Sequence, residues 1–274
     1  MSILTLRIIT AVILAGGFLS LLFLAPVVYT ASFLALALLI SINEWAGFVG
    51  WRFGVASVLY TLAAAGLMAL VWQMPAAPEY LHSLLMLSGL VWLLALLTLV
   101  FWTGKLAQLV VVFAGWLVLL PAWMLAERLV LAGRDGPALL FLLFWIVAAA
   151  DIGAYFFGKT LGKHKLLPRV SPGKTIEGLF GGLLSAGIAA SLGVALVGWV
   201  WPQAVALGLA VGAISVLGDL TVSLFKRNAS LKDSGKILPG HGGILDRIDG
   251  VIAALPMYVA LLSIFGKLPG MITV

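Results

Sequence analysis

The residues best suited to chemistry lie between positions 219 and 249, at the end of a long apolar run and in the polar segment that follows it. Asp219, Ser223 and Lys226 are spaced i, i+4 and i+7, so on a helix they share one face. The segment that follows is rich in lysine, aspartate and glycine, and it contains Pro-Gly-His-Gly-Gly at 239–243. Small residues let a backbone approach a ligand closely. This mixture of cations, carboxylates and glycines indicates a site for a highly charged ligand.

Asp246 and Asp249 suggest what the ligand contains. Their i, i+3 spacing places both carboxylates on the same side of a helix, where they repel each other unless a cation lies between them. Oxygen ligands without cysteine favour a hard ion, Mg²⁺ before Zn²⁺. Protein-bound Mg²⁺ usually combines one or two carboxylates with substrate phosphates, so the pattern predicts a polyphosphate substrate. An acidic first turn that only complements the helix dipole is the alternative.

A second polar segment contains Gly173-Lys174-Thr175, which invites comparison with a phosphate-binding loop of the P-loop type. That motif requires another glycine five positions before Gly173, and position 168 is proline. No strand precedes the segment in the sequence pattern either. A P-loop NTPase is therefore excluded.

The same segment suggests another way to bind phosphate. Ser171-Pro172 predicts a helix start, with serine as N-cap and proline at the first position. Lys174 would then lie in the first turn, where free amide groups and a cation bind phosphate together. For Lys163, Lys165 and Arg169, attachment of the loop to anionic headgroups is an equally good interpretation.

Five other polar residues interrupt apolar sequence or stand alone. Asp151 lies within an apolar run and must face an ion-pair partner or a wet cavity. Glu44 also lies within an apolar run, and we expect it to support helix packing. We expect His82 at a membrane interface and His164 in solvent, whereas the glycines that flank His241 favour a phosphate contact.

Composition defines the elements that must position these residues. Of the 274 residues, 63% are apolar and 9% are charged, and the mean hydropathy is +1.20. Soluble domains are nearer half apolar and a quarter charged. A soluble enzyme, a secreted disulfide scaffold and a disordered chain are therefore excluded. Because the chain has no cysteine, a thiol nucleophile and a thiolate metal site are excluded as well.

The apolar runs predict an all-α polytopic membrane protein with about nine transmembrane helices. The predicted spans are about 8–28, 30–49, 53–74, 81–102, 105–126, 137–158, 176–200, 203–225 and 250–268, with the first break at Pro26. Eight or ten spans remain open. With nine spans, the lysines and arginines fall on one side of the membrane except for Arg128, Arg134 and Lys267. The positive-inside rule then places the N-terminus and both long loops in the cytoplasm, and we expect no nucleic-acid partner for this basic chain.

Ten of the sixteen lysines and arginines lie in residues 151–249, whereas the first 150 residues hold five, so we expect an apolar front part and a chemically loaded back part. Residues 1–136 form an apolar set of N-terminal transmembrane helices. We expect residues 137–274 to form the catalytic part, with cytoplasmic loops at 159–175 and 226–249. The site is therefore expected at the cytoplasmic ends of the C-terminal helices.

The stretch 223–249 resembles the signature of the phosphatidate cytidylyltransferases, also called CDP-diacylglycerol synthases. The matching positions are Ser223, Lys226, Arg227, Lys232, Asp233, Leu238, Pro239, His241, Gly242, Gly243, Asp246, Arg247 and Asp249. The segments 151–159 and 171–178 also resemble that family, whereas the first 150 residues share only its apolar character. So many fixed positions in 27 residues make a chance match implausible.

The resemblance implies that CTP and phosphatidate react to give CDP-diacylglycerol and pyrophosphate with Mg²⁺. It also implies a bacterial inner membrane protein with a cytoplasm-facing site. The expected catalytic residues are Asp219, Lys226, Arg227, Lys232, Asp233, Asp246 and Asp249. The expected substrate-binding residues are Lys174, Ser223, His241, Gly242, Gly243, Arg247 and Asp151. The expected metal ligands are Asp219, Asp246 and Asp249.

Three other functions stay open on sequence alone: a CTP-dependent transferase for another lipid or polyprenol phosphate, an ion-coupled transporter, and a non-catalytic membrane scaffold. A second, monovalent cation and a homodimer are also left open, as are the acyl-chain preference and the choice between CTP and dCTP.

Overall fold

The computed structural model describes residues 3–52, 54–73, 78–197, 200–238, 240 and 242–268. This part of the chain forms nine α-helices and one small hairpin, which confirms the predicted all-α class. The helices are α1 Ile3–Phe23, α2 Val27–Ala46, α3 Val55–Trp72, α4 Pro78–Phe101, α5 Gln108–Leu131, α6 Gly136–Leu161, α7 Ile176–Val197, α8 Trp201–Asn228 and α9 Leu245–Ile264. The strands are β1 Lys165–Leu167 and β2 Ser171–Thr175. Helices α2 to α9 are each long and apolar enough to cross a membrane, and Val12–Phe23 of α1 is a shorter apolar segment.

Several predicted boundaries differ from the observed ones by a few residues. α1 ends at Phe23, because Pro26 lacks the N–H group that would continue it and instead precedes α2 as its N-cap. The predicted loop 226–249 is shorter, since α8 continues to Asn228 and α9 begins at Leu245. Both aspartates at 246 and 249 are consequently helical. The predicted loop 159–175 also begins later, because α6 runs to Leu161.

The predicted helix start at Ser171-Pro172 is wrong. These residues open β2, which pairs antiparallel with β1, and α7 begins only at Ile176. The Oγ1 of Thr175 accepts a hydrogen bond of 3.1 Å from the N–H of Gly178, so Thr175 caps α7 in place of Ser171. The backbone polar groups of this segment are paired in the hairpin and not in a first helical turn.

Glycines allow the C-terminal helices to pack closely. A Cβ at Gly182 would lie 2.8 Å from the carbonyl oxygen of Ala150, so α6 and α7 meet there without side chains between them. A Cβ at Gly218 of α8 would collide with the carbonyl oxygen of Asp249 on α9. This close contact brings the aspartates of α8 and α9 towards each other.

The connections at one end of the helices are joined by side-chain hydrogen bonds. The N–H of Leu106, between α4 and α5, donates to the Oδ1 of Asn228 at the end of α8 over 2.8 Å. The Nε of Arg227 donates to the carbonyl oxygen of Val170 in the hairpin over 3.4 Å. The polar segments from distant parts of the sequence therefore meet on a single side of the helix assembly.

Candidate active site

The best defined contact of the site is a buried ion pair between α8 and α9. The Nζ of Lys226 lies 2.7 Å from the Oδ1 of Asp246, and their side chains are 11% and 6% exposed. The other oxygen, Oδ2, accepts hydrogen bonds from the N–H groups of Ser234 at 2.9 Å and Gly243 at 3.0 Å. Asp246 thus ties the end of α8, the following loop and the start of α9 to one carboxylate.

A second ion pair joins the hairpin to α8. The Nζ of Lys174 lies 2.6 Å from the Oδ2 of Asp219. The Oδ1 of Asp219 accepts a hydrogen bond of 3.2 Å from the hydroxyl of Ser223, one turn later on the same helix. Both side chains of the ion pair are partly exposed, so a ligand can reach them. The spacing of Asp219, Ser223 and Lys226 predicted a shared helix face, and their contacts fit that prediction.

Two further aspartates lie close to Asp219. The carboxylate of Asp249 interacts electrostatically with Asp219, Asp151 and Lys226. The carboxylate of Asp151, on α6, interacts electrostatically with Asp219, Lys174 and Arg247. The site therefore combines a group of acids from three helices with cations from three separate elements.

The carboxylate oxygens of the site are suitable ligands for a hard cation, but they are not arranged as a complete metal site. Among the residues that the structure describes, no three acidic or histidine side chains are grouped closely enough to hold a metal ion. Asp219 and Asp249 are close enough to interact, and oxygen atoms are the ligands that Mg²⁺ prefers. Asp246 differs from them because three donors already occupy its oxygens. The metal role of Asp246 stays a prediction.

The glycine-rich loop turns sharply next to Asp246. The N–H of Leu238 donates to the carbonyl oxygen of Gly242 over 3.0 Å, and Gly240 and Gly242 both have positive φ, at 76° and 85°. Glycine adopts that conformation without steric cost. A Cβ at Gly242 would lie 2.9 Å from the Oδ2 of Asp246, so the loop approaches the carboxylate closely. Two residues of the predicted motif, Pro239 and His241, lie outside the described residues.

Three of the predicted cations are exposed rather than buried in the ion-pair cluster. Arg227 donates to the carbonyl oxygens of Val170 and Leu231, and thereby braces the loop against the hairpin. Lys232 is exposed in the loop, next to the exposed Asp233. Arg247 is exposed on α9 and interacts with Asp151. These side chains stand where a ligand arriving from solvent would meet them.

The sequence did not identify Glu44 as part of the site. This α2 residue is 7% exposed, and its carboxylate accepts hydrogen bonds from the hydroxyl of Ser234 and from the N–H groups of Ile244 and Leu245. An acid within an apolar run was the only signal, and its partners lie about 200 positions away in the chain. Glu44 therefore contacts the same loop as Asp246.

The imidazole of His164 is exposed, as predicted, but it is also bonded. Its Nδ1 lies 2.6 Å from the Oε1 of Glu177, and the carboxylate of Glu177 accepts from the N–H groups of Lys163 and His164 as well. His164 thus belongs to the junction of the hairpin and α7, where it has a structural contact.

Comparison with known proteins gives consistent matches. Residues 5–265 match the sequence model of the cytidylyltransferase family. A Pseudomonas aeruginosa protein named phosphatidate cytidylyltransferase is 38% identical, and the alignment covers 93% of this chain and 96% of that protein. A Haemophilus influenzae protein of the same name is 36% identical over 92% of this chain and 96% of its own length. A Staphylococcus aureus protein of that name is 48% identical over 44% of this chain.

Proposed function

Because the chain belongs to the cytidylyltransferase family, we propose that it is a phosphatidate cytidylyltransferase. It would transfer the cytidylyl group of CTP to phosphatidate, and release CDP-diacylglycerol and pyrophosphate. Two relatives that match most of the chain carry this name. The observation that carries the proposal is the cluster of ion pairs at one end of long apolar helices.

The position of the cluster suits two substrates of opposite solubility. Phosphatidate holds its phosphate at the membrane surface, and CTP arrives from water. Partly exposed Lys174 and Asp219 are accessible, whereas Lys226 and Asp246 are buried beneath the loop. We infer a cytoplasm-facing site in a bacterial inner membrane, supported by the positive-inside pattern and by the bacterial relatives.

The proposed reaction is a direct displacement at the α-phosphorus of CTP. An oxygen of the phosphatidate phosphate attacks that phosphorus and forms the new P–O bond. The bond from the α-phosphorus to the oxygen that bridges to the β-phosphate breaks, and pyrophosphate leaves with the electron pair. A phosphate monoester is largely ionised at neutral pH, with a second pKa near 6, so the nucleophile needs little help from a base. Catalysis then consists mainly of positioning and charge neutralisation.

The chain offers cations for that purpose. Lys226 and Lys174 are held by Asp246 and Asp219, and can exchange or share these partners with phosphate oxygens. Arg227, Lys232 and Arg247 are exposed around the same loop and would guide the triphosphate. The substrate would contact Ser223, Gly242 and Gly243. Asp233 would orient a cation. These roles remain proposals for each residue, and so does the phosphate contact of His241.

We also propose Mg²⁺ as the cofactor, held by Asp219 and Asp249 near Asp151. When bound, the ion would neutralise phosphate charge. The three hydrogen bonds to Asp246 favour a different role for that residue, which is to orient Lys226. A second, monovalent cation and a homodimer are compatible with this proposal and are not required by it.

Product analysis with several acceptors tests the proposal. Purified protein is incubated with CTP, Mg²⁺ and one of three lipids: phosphatidate, a polyprenyl phosphate or diacylglycerol. Mass spectrometry then identifies the lipid product. The proposal predicts CDP-diacylglycerol from phosphatidate as the dominant product. A cytidylylated polyprenyl phosphate as the main product would identify another lipid transferase, and a phosphorylated diacylglycerol would identify a lipid kinase.

A further inference from the structure

Glu44 links the N-terminal helices to the loop that contains the ion pair of the site. It lies near the end of α2 and its carboxylate accepts three hydrogen bonds. The donors are the hydroxyl of Ser234 at 3.0 Å and the N–H groups of Ile244 at 3.1 Å and Leu245 at 2.9 Å. All of them belong to the segment 234–245. A buried carboxylate with this many donors from one loop fixes the position of that loop.

The loop is shaped to receive this carboxylate. A Cβ at Gly235 would collide with Oε1 of Glu44, and a Cβ at Gly243 would collide with both its Oε2 and the hydroxyl of Ser234. Arg52, which follows α2, donates from Nη2 to the carbonyl oxygen of Ser234 over 3.3 Å. The contact therefore depends on two glycines and is reinforced by a second side chain from the same end of α2.

The same segment also binds Asp246, the partner of Lys226, through its backbone N–H groups. Ser234 donates its hydroxyl to Glu44 and its N–H to Oδ2 of Asp246. Gly243 donates its N–H to the same Oδ2, and the next two N–H groups go to Glu44. Glu44 and Asp246 thus hold one loop from two sides, and Oδ1 of Asp246 is directed at Lys226.

We propose that Glu44 is a positioning residue for Lys226, which it places through Ser234, the start of α9 and Asp246. The inference rests on the proposed function, in which Lys226 neutralises phosphate charge. It assigns a role in the reaction to a residue of the N-terminal part, which the sequence linked only to packing. A carboxylate suits the role because it only accepts, and all three of its partners donate.

The test compares Glu44→Gln with wild type and with Glu127→Gln. Glu127 is a matched control because it is a glutamate on a neighbouring helix with 5% exposure. The amide of Glu44→Gln brings N–H donors to a place where donors already point, so the loop must shift. We expect kcat to fall at least about tenfold, because small displacements of a catalytic group cost that much or more. The KM for phosphatidate and the melting temperature in detergent should stay close to those of Glu127→Gln.

A double variant separates positioning from general stabilisation. If Glu44 acts through Lys226, the combination of Glu44→Gln with Lys226→Met should be no slower than Lys226→Met alone. Glu44→Asp, which retains the charge, should recover part of the activity lost in Glu44→Gln. Additive losses in the double variant, or a kcat of Glu44→Gln equal to that of wild type, would overturn the proposal.

Hydrogen exchange gives a readout that does not depend on the reaction. The amides of Ser234, Gly243, Ile244 and Leu245 should exchange faster in Glu44→Gln than in wild type, while those of Glu127→Gln should not change. Unchanged exchange in Glu44→Gln would refute the positioning role. If the amides exchange faster in Glu44→Gln but the wild-type protein forms no lipid product, the structural link is right and the proposed function is wrong.

Discussion

The ammonium group of Lys226 donates to Oδ1 of Asp246 over 2.7 Å, between two helices and beneath a glycine-rich loop. Both side chains are nearly buried, and the second oxygen of the aspartate is fully used by backbone N–H groups. Buried ion pairs add little net stability compared with apolar packing. The presence of such a pair at the end of otherwise apolar helices therefore fits a role in binding phosphate.

Asp246→Asn tests that role. The amide still fills the space, but Lys226 loses its counter-charge and the N–H groups of the loop lose one acceptor. We expect activity to fall about 100-fold or more, which is the scale for loss of a charge-stabilising group. Insertion and folding should persist, as measured by size-exclusion profile and melting temperature in detergent.

Asp135→Asn is the control for this change. Asp135 is exposed and stands before α6, where its side chain makes no capping hydrogen bond. It should retain full activity. An Asp246→Asn variant within about twofold of wild type would contradict the assigned role of the ion pair.

Removal of Mg²⁺ tests whether Asp219 and Asp249 hold a metal ion. Asp219 and Asp249 repel each other unless a cation lies between them, and the oxygens fit a hard ion. We expect EDTA to abolish turnover and Mg²⁺ to restore it. Titration calorimetry with Mg²⁺ in the presence of CTP should show binding that Asp219→Asn weakens. Full turnover in EDTA, or equal binding in the variant, would argue against a metal at these residues.

The close contact between α8 and α9 predicts an effect for Gly218→Ala. The new Cβ would collide with the carbonyl oxygen of Asp249, so the helices must separate and Asp219 must move away from Asp249. Overpacking of this kind costs about 1–3 kcal/mol. We therefore expect a lower melting temperature together with a loss of activity.

Gly187→Ala, on α7, gives the comparison. A Cβ there would lie 3.7 Å from Leu209, which is ordinary contact distance, so stability and activity should be close to wild type. Equal melting temperatures and activities for the two alanine variants would show that the contact at Gly218 does not position the aspartates.

Much of this fold follows from local sequence. Apolar runs of sufficient length specify helices in a bilayer because every backbone polar group must be paired within the segment. Asp219, Ser223 and Lys226 could be grouped because the helical period alone places them together. The chemistry-bearing loop was recognisable because its residue types depart so clearly from the apolar background.

The remaining features depend on contacts between distant segments. Ser171-Pro172 has the local pattern of a helix start, but pairing with β1 makes it a strand. Asp246 and Asp249 share the predicted helix face, yet the loop donors to Asp246 could not be inferred from spacing. Glu44 is separated from its partners by most of the chain, so no local pattern could connect them.

Membrane orientation can be measured with single cysteines, because the natural chain has none. Lys163→Cys lies in the connection before β1, and Arg134→Cys lies between α5 and α6; both positions are exposed. The positive-inside pattern predicts that a membrane-impermeant maleimide labels Arg134→Cys in intact spheroplasts. Lys163→Cys should react only after permeabilisation. The reverse labelling pattern would place the site on the outer side.

The most direct measurement of the central claim follows two differently labelled CTP molecules through one reaction. Purified protein in detergent is incubated with phosphatidate and Mg²⁺, and with CTP labelled at either the α- or the γ-phosphorus. Nucleotidyl transfer predicts that the α label enters the lipid and the γ label leaves in pyrophosphate. Entry of the γ label into the lipid, or no labelled lipid from folded protein that binds CTP, would contradict it.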